Sequence, residues 1–357
     1  MNGVSNANRA LLGTLLVVVL VGAGCGPTMD WSPDGRYVVA TDTRYGQTIL
    51  SVRDVRTGAA SIVPHSTGTG SVAWSPDGRW IAFERTGVSQ GLYLYHLRTK
   101  RTVQLVRQVQ GPIIWREDST RFLAFRDARH MVCLTVPDAY PVWEAELPED
   151  AGGARSGVWI PDTDIVALLC GGDIWLIEGA EPVRITTTGD VIGMALRPGG
   201  RDLIWARQGP NARFILLTIY RASLKHRSAQ RLDTRARIPG VNSDPSNAPI
   251  AAEAVVFSPD GKRMAVLCSY RKGARRKELR LFCMTLTGAE ARLVAVLGVT
   301  DAHEFNTAYT APAVFSRDGK YLAFWRVEGR SVRLMISRAD GTETRGLGAA
   351  FLAATRR

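Results

Sequence analysis

The residues best suited to chemistry lie late in the chain, where Asp301, His303, Glu304, Phe305 and Tyr309 place two carboxylates, an imidazole and a phenol close together. Such a mixture suits recognition. It would suit glycoside chemistry only if Asp301 and Glu304 converged with carboxyl groups about 5–10 Å apart. Just upstream runs a basic segment, Arg271-Lys272-Gly273-Ala274-Arg275-Arg276-Lys277, and before it come Arg235 and Arg237. With a formal charge of +12 and a pI near 9.9, the chain favours anionic surroundings such as phosphate, acidic polymer or anionic lipid headgroups. Constellations for catalysis are weak. No Gly-x-Ser-x-Gly elbow occurs, and His65, His96, His130, His226 and His303 are scattered with no HxxxH spacing. Gly68-Thr69-Gly70 has no helix after it to cradle phosphate, and no EF-hand-like run or Cys/His spacing suggests a metal. The expectation is therefore no catalytic residue, no metal and no cofactor.

The N-terminus differs in kind from the rest. Arg9 precedes the apolar run Leu11–Val21, which is short for a bilayer span and typical of a signal-peptide core. Gly22-Ala23-Gly24 then leads to Cys25. This resembles a bacterial lipobox, departing from it at Gly22, where leucine is usual. The resemblance implies a signal peptide over 1–24, a lipidated N-terminus over 25–27 with Cys25 as the attachment site, and an exported protein anchored at an envelope membrane, on its periplasmic side or at the cell surface.

The other cysteines, Cys133, Cys170, Cys268 and Cys283, each sit in an apolar run and read as small buried hydrophobes. A hairpin symmetric about Ala274 pairs Cys268 with Arg280 and Cys283 with Ala265, which argues against a disulfide between those two.

A repeat positions all of these residues. Trp31-Ser32-Pro33-Asp34-Gly35-Arg36-Tyr37-Val38-Val39-Ala40 recurs, with copies led by Trp74, Trp115, Trp159, Leu196, Phe257 and Phe315. Pro presets φ in the turn, Asp bonds nearby backbone and Gly takes positive φ, so the motif is a hairpin turn between two strands. The markers recur about every 40 residues at first and about every 60 at the end, a period that fits four-stranded blades. Strand a ends at the marker and strand b follows the turn. Strand c comes after a loop, as in Leu92-Tyr93-Leu94-Tyr95, and a polar turn leads to a poorer strand d. The predicted fold is all-β: a β-propeller over 28–345, of seven blades, with six or eight as alternatives, followed by a tail over 346–357.

The recurring Trp-Ser-Pro-Asp-Gly-Arg-Tyr/Trp-Ile/Val-Ala pattern resembles the WD40-like (PD40) repeats of TolB-type β-propellers. Unlike those relatives, the chain is expected to carry no α/β domain of the kind that TolB, or a propeller-bearing peptidase, has beside its propeller. Relative to the early units, extra residues fall in Asp233–Ala252, Ser269–Lys277 and Val299–Ala313. In a propeller these connections share the face opposite the Pro-Asp-Gly turns, so they are expected to form a raised wall across blades five to seven. The candidate binding residues are Arg235, Arg237, Arg271, Lys272, Arg275, Arg276, Lys277, Asp301, His303, Glu304 and Tyr309. The expected function is a monomeric, non-enzymatic envelope scaffold for a protein or polymer, with the basic hairpin as a second contact to an anionic membrane surface. The alternative is an envelope hydrolase or carbohydrate-active propeller with acidic residues at the channel mouth. Nucleic acid is not expected as a partner, for want of a basic stripe interleaved with stacking aromatics.

Overall fold

The computed structural model describes residues 28–44, 47–198, 202–209, 215–223, 228–238, 249–272, 276–287, 291–301, 313–328 and 331–347. They form seven antiparallel four-stranded sheets, each a simple meander in chain order. Blade one holds β1 (Met29–Trp31), β2 (Tyr37–Arg44), β3 (Gln47–Asp54) and β4 (Ala60–Ile62); blade two holds β5 (Thr69–Trp74), β6 (Trp80–Arg85), β7 (Gly91–His96) and β8 (Arg101–Val106). Blade three holds β9 (Gln110–Trp115), β10 (Arg121–Phe125), β11 (His130–Thr135) and β12 (Pro141–Glu146); blade four holds β13 (Ala154–Trp159), β14 (Ile165–Cys170), β15 (Asp173–Glu178) and β16 (Glu181–Arg184). Blade five holds β17 (Val191–Leu196), β18 (Asp202–Gly209), β19 (Ile215–Ser223) and β20 (Ser228–Ile238); blade six holds β21 (Pro249–Phe257), β22 (Arg263–Arg271), β23 (Arg276–Thr285) and β24 (Arg292–Asp301). Blade seven holds β25 (Ala313–Phe315), β26 (Tyr321–Glu328), β27 (Ser331–Arg338) and β28 (Arg345–Gly346).

Strand alternation explains how seven sheets share their cores. Val38 and Ala40 of β2 pack toward blade seven, while Val39 between them packs toward blade two with Leu50, Trp74 and Phe83. The same division recurs at every neighbouring pair, so the hydrophobic interior is a set of seven inter-blade layers rather than one core. The first strand of each blade is innermost and touches its neighbours around the axis, as β5 does with β1 and β9, and β21 with β17 and β25. The approach is close enough at β17 that a Cβ on Gly193 would meet the Val255 carbonyl oxygen at 2.0 Å.

The repeated motif works as a turn and a blade-to-blade tie. In blade one, Ser32 Oγ donates to Asp34 Oδ1 at 2.6 Å, Arg36 N donates to the same oxygen at 3.0 Å, and Tyr37 N donates to Ser32 Oγ at 2.8 Å. The serine–aspartate bond recurs at 2.7 Å in blade two, 2.5 Å in blade six and 2.7 Å in blade seven. The glycine after the aspartate sits at positive φ, 69° at Gly35, where only the missing Cβ makes the turn unstrained. Three of the four marker tryptophans reach back to the previous blade, Trp74 being the exception: Trp31 Nε1 donates to Val314 O at 3.1 Å, Trp115 Nε1 to Ala73 O at 3.3 Å and Trp159 Nε1 to Ile114 O at 2.9 Å.

The ring closes by packing, without exchange of a strand between its ends. Blade seven is built wholly from late residues and blade one wholly from early ones. Met29, Trp31 and Val38 pack on Ala323, Trp325 and Leu334 across the seam. Buried Arg53 is the polar latch: it donates to both Asp42 carboxylate oxygens at 2.6 Å and to the Leu347 carbonyl. Blade seven therefore takes in Gly346 and Leu347, two residues that pattern alone leaves to a tail.

The four cysteines from 133 onward are all free and buried. Burial pushes the thiols up, to about 11 at Cys133 and about 12 at Cys170. Cys268 faces Arg280 and Cys283 faces Ala265 across the β22–β23 ladder, the register that symmetry about Ala274 predicts.

Candidate functional site: the channel collar and the raised rim

Strand a enters each blade from the face opposite the Pro-Asp-Gly turns. That face carries the expected raised region, but much of it is sheet. Arg235 and Arg237 lie in β20, opposite Thr218 and Leu216, and not in a loop. Arg271 ends β22, Lys272 follows it, and Arg276 and Lys277 open β23, with Lys272 N donating to Arg276 O at 2.9 Å. Asp301 ends the outermost strand β24 opposite Arg276, which sets it at the rim and away from the channel. Pairing satisfies the backbone groups of the extra residues, which is why they prolong the ladders. Arg271 comes fourteen residues after its marker Phe257, whereas β14 ends at Cys170, eleven after Trp159, and only Gly171 and Gly172 join it to β15. Blade six thus stands about 10 Å higher than blade four, at about 3.3 Å per residue. Cys25, Arg275, His303, Glu304 and Tyr309 lie outside the described residues.

Pattern reading missed a second feature on this face. In blades two to six the innermost strand carries a bulge near its start. The register shifts between Thr69 and Val72, between Ala154 and Ser156, between Val191 and Gly193, and between Ala252 and Ala254; in blade three it shifts opposite Leu123 and Phe125. A bulge leaves a residue unpaired and re-aims its side chain. The position four before each marker falls in these bulges: Gly70, Gly111, Arg155, Ile192 and Glu253. Together they make a collar around the channel mouth, bare on blades two and three and armed on blades four to six. Counting back from the marker would have found it, since the position holds Gly twice and then Arg, Ile and Glu.

Three charged residues occur on the described innermost strands: Asp30, Arg155 and Glu253. Asp30 accepts from Trp31 N at 2.8 Å and from Trp74 N at 2.7 Å. Burial raises its carboxyl to about 6 against the opposing pull of those N–H groups. Glu253 faces Lys277 at 3.8 Å. Arg155 is exposed, beside exposed Ser156, and makes no hydrogen bond or ion pair among the described residues. Behind the bare side of the collar, Glu84 is only 4% exposed and takes Ser71 N at 3.4 Å. With no cation beside it among the described residues, burial lifts its carboxyl to about 7.

The rim is polar in a different way. Glu278 is held between Arg280 and Lys272, the latter at 3.5 Å, and the Arg280 guanidinium lies 4.2 Å from the centre of the Tyr270 ring. Arg271 is exposed and makes no ion pair among the described residues. No three His, Cys, Asp or Glu side chains gather to hold a metal among the described residues.

No protein-family model matches the chain, and no curated protein matches its sequence. Solved structures do. An oligogalacturonate lyase from Vibrio parahaemolyticus superposes with a TM-score of 0.64 at 11% identity, over 86% of this chain and 88% of the lyase. An oligogalacturonate lyase in complex with manganese gives 0.61 at 14% identity, over 86% and 87%. The C-terminal WD40 domain of Sif2 gives 0.51 at 13% identity, over 87% and 80%. What they share is the propeller. It serves a lyase in one case and a WD40 domain in the other, so activity has to be argued from this chain's own surface.

Proposed function

We propose that the protein is an exported, lipid-anchored β-propeller of the TolB-type WD40-like kind that acts as a non-enzymatic scaffold, binding an anionic polymer or an envelope protein on its collar-bearing face. The observation that carries this reading is the asymmetry of that face: a raised basic rim on blade six beside a collar armed on three successive blades. The serine–aspartate turn repeats in blades one, two, six and seven, while on this face even those blades differ from one another, as a surface fitted to one partner does. The oligogalacturonate lyases put the same fold to work on an acidic oligosaccharide, which supports the polymer reading. Thr28 enters blade one on this face, so acyl chains on Cys25 would hold it toward the lipid, with Arg271, Lys272, Arg276 and Lys277 as a second contact to anionic headgroups. The carbohydrate-active alternative would draw on the collar carboxylate Glu253, which is ion-paired, and on Glu84 behind the collar, which is buried.

Two measurements test this. A clickable palmitate analogue fed to producing cells should label the protein and not its Cys25→Ala variant; labelling of both removes the anchor. Neutralising Arg271, Lys272, Arg276 and Lys277 should lower the affinity of unlipidated protein for vesicles rich in phosphatidylglycerol, and unchanged affinity removes the membrane contact.

A further inference from the structure

Resting on the polymer reading above, we infer that the collar is an anion-recognition site in which Arg155 takes the acidic groups of a linear acidic polysaccharide entering the channel mouth. Of the three charges on the described innermost strands, two are engaged, Asp30 by backbone N–H groups and Glu253 by Lys277. Arg155 alone has its guanidinium donors unspent among the described residues, and it sits on the residue that the blade-four bulge leaves unpaired. A planar fork of N–H donors fits a carboxylate or sulfate in bidentate fashion.

The surroundings narrow the ligand. A membrane does not reach this arginine, because a flat surface resting on blade six is held about 10 Å above the level where blade four ends at Cys170. A slender chain does reach it. Next to Arg155 stand the exposed Ser156 hydroxyl and the exposed backbone of Gly152 and Gly153, groups that hydrogen-bond to sugar hydroxyls. Among the large exposed apolar side chains of the described residues only Ile250 lies on an innermost strand, so the described part of the mouth offers little of the apolar anchoring on which peptide recognition leans. On blade six, two blades further round the ring, the exposed Arg271 adds positive charge at the rim, while Lys277 is paired with Glu253. A chain with regularly spaced anionic groups therefore engages collar and rim together, and each contact raises the effective concentration at the other.

The test uses the full-length protein in mild detergent, with affinities measured by biolayer interferometry on immobilised polyuronate, dextran sulfate, neutral dextran and poly-L-glutamate. The expected result is binding to polyuronate that Arg155→Glu weakens tenfold or more, with no binding to neutral dextran. Dextran sulfate distinguishes a site for any anion from one for carboxylates: equal, Arg155-dependent binding of both extends the site to sulfated chains and supports it. Melting of the Arg155→Glu variant at the wild-type temperature secures its fold. Polyuronate binding that survives Arg155→Glu but falls on neutralising Arg271, Lys272 and Arg276 overturns the collar site and leaves the scaffold reading standing. Failure of every polyanion to bind removes the polymer reading along with it. Arg155-dependent binding of poly-L-glutamate, with none of polyuronate, overturns the polysaccharide assignment in favour of an acidic protein segment.

Discussion

The two faces of the ring are built from the same strands by opposite rules. On the turn face, blades one, two, six and seven repeat one serine–aspartate hydrogen bond within 2.5–2.7 Å. On the collar face the equivalent positions carry Gly, Gly, Arg, Ile and Glu, and strand lengths differ between blades. Repetition marks a turn device that four blades share, though blades three to five fold with Arg116, Ile160 and Arg197 in place of the serine; divergence marks where one blade can do something another cannot. The motif aspartate, which could pass for a site residue, has its Oδ1 occupied by Ser Oγ and a backbone N–H in those four blades and belongs to the turn. Arg155 belongs to no such network.

The largest effect is expected at the seam, which neither face explains. Arg53→Met leaves Asp42 buried without its cation, a loss of about 3–5 kcal/mol in denaturant unfolding. A loss below about 1 kcal/mol would mean that apolar packing alone closes the ring.

Next is Glu84, behind the bare side of the collar. Its folded value of about 7 lies above the ordinary 4.5, so the native state binds more protons between those limits. Stability should therefore fall as pH rises through that window and stay lower above it. Glu84→Gln should flatten that fall and gain on the order of 3 kcal/mol over wild type above the window. Parallel stability–pH curves for the two proteins would show that Glu84 finds a partner when it ionises.

On the turn face, Asp77→Ala and Asp318→Ala should each cost about 1–2 kcal/mol and by similar amounts, since the bonds lost are alike. Unequal losses would break the idea of interchangeable turns. The smallest effect is expected on the collar and rim, where Arg155→Ala and Arg271→Ala should leave stability within about 0.5 kcal/mol of wild type.

Much of the fold is legible in sequence because its signals are local. Pro-Asp-Gly between apolar runs gives the turn, the spacing of Trp31, Trp74, Trp115 and Trp159 gives the blade, and symmetry about Ala274 gives the β22–β23 register. Rim residues are legible as residues but not as structure. The segments holding Arg235 and Arg237, or Arg271 and Lys277, read as loops because they exceed the early period, yet they lengthen strands. The collar is hidden for a different reason. A bulge adds one residue without altering composition, and the short innermost strands show no alternation against which an extra residue would stand out.

Whether binding belongs to the divergent face is tested most directly by placing a photo-crosslinking amino acid, one site at a time, at Ser156 and Arg276 on the collar face and at Arg36 and Lys262 on the turn face, then irradiating intact cells. Divergence as the mark of function predicts a discrete adduct, protein or polymer, from Ser156 and Arg276 and none from Arg36 and Lys262. Adducts confined to the turn positions would contradict it.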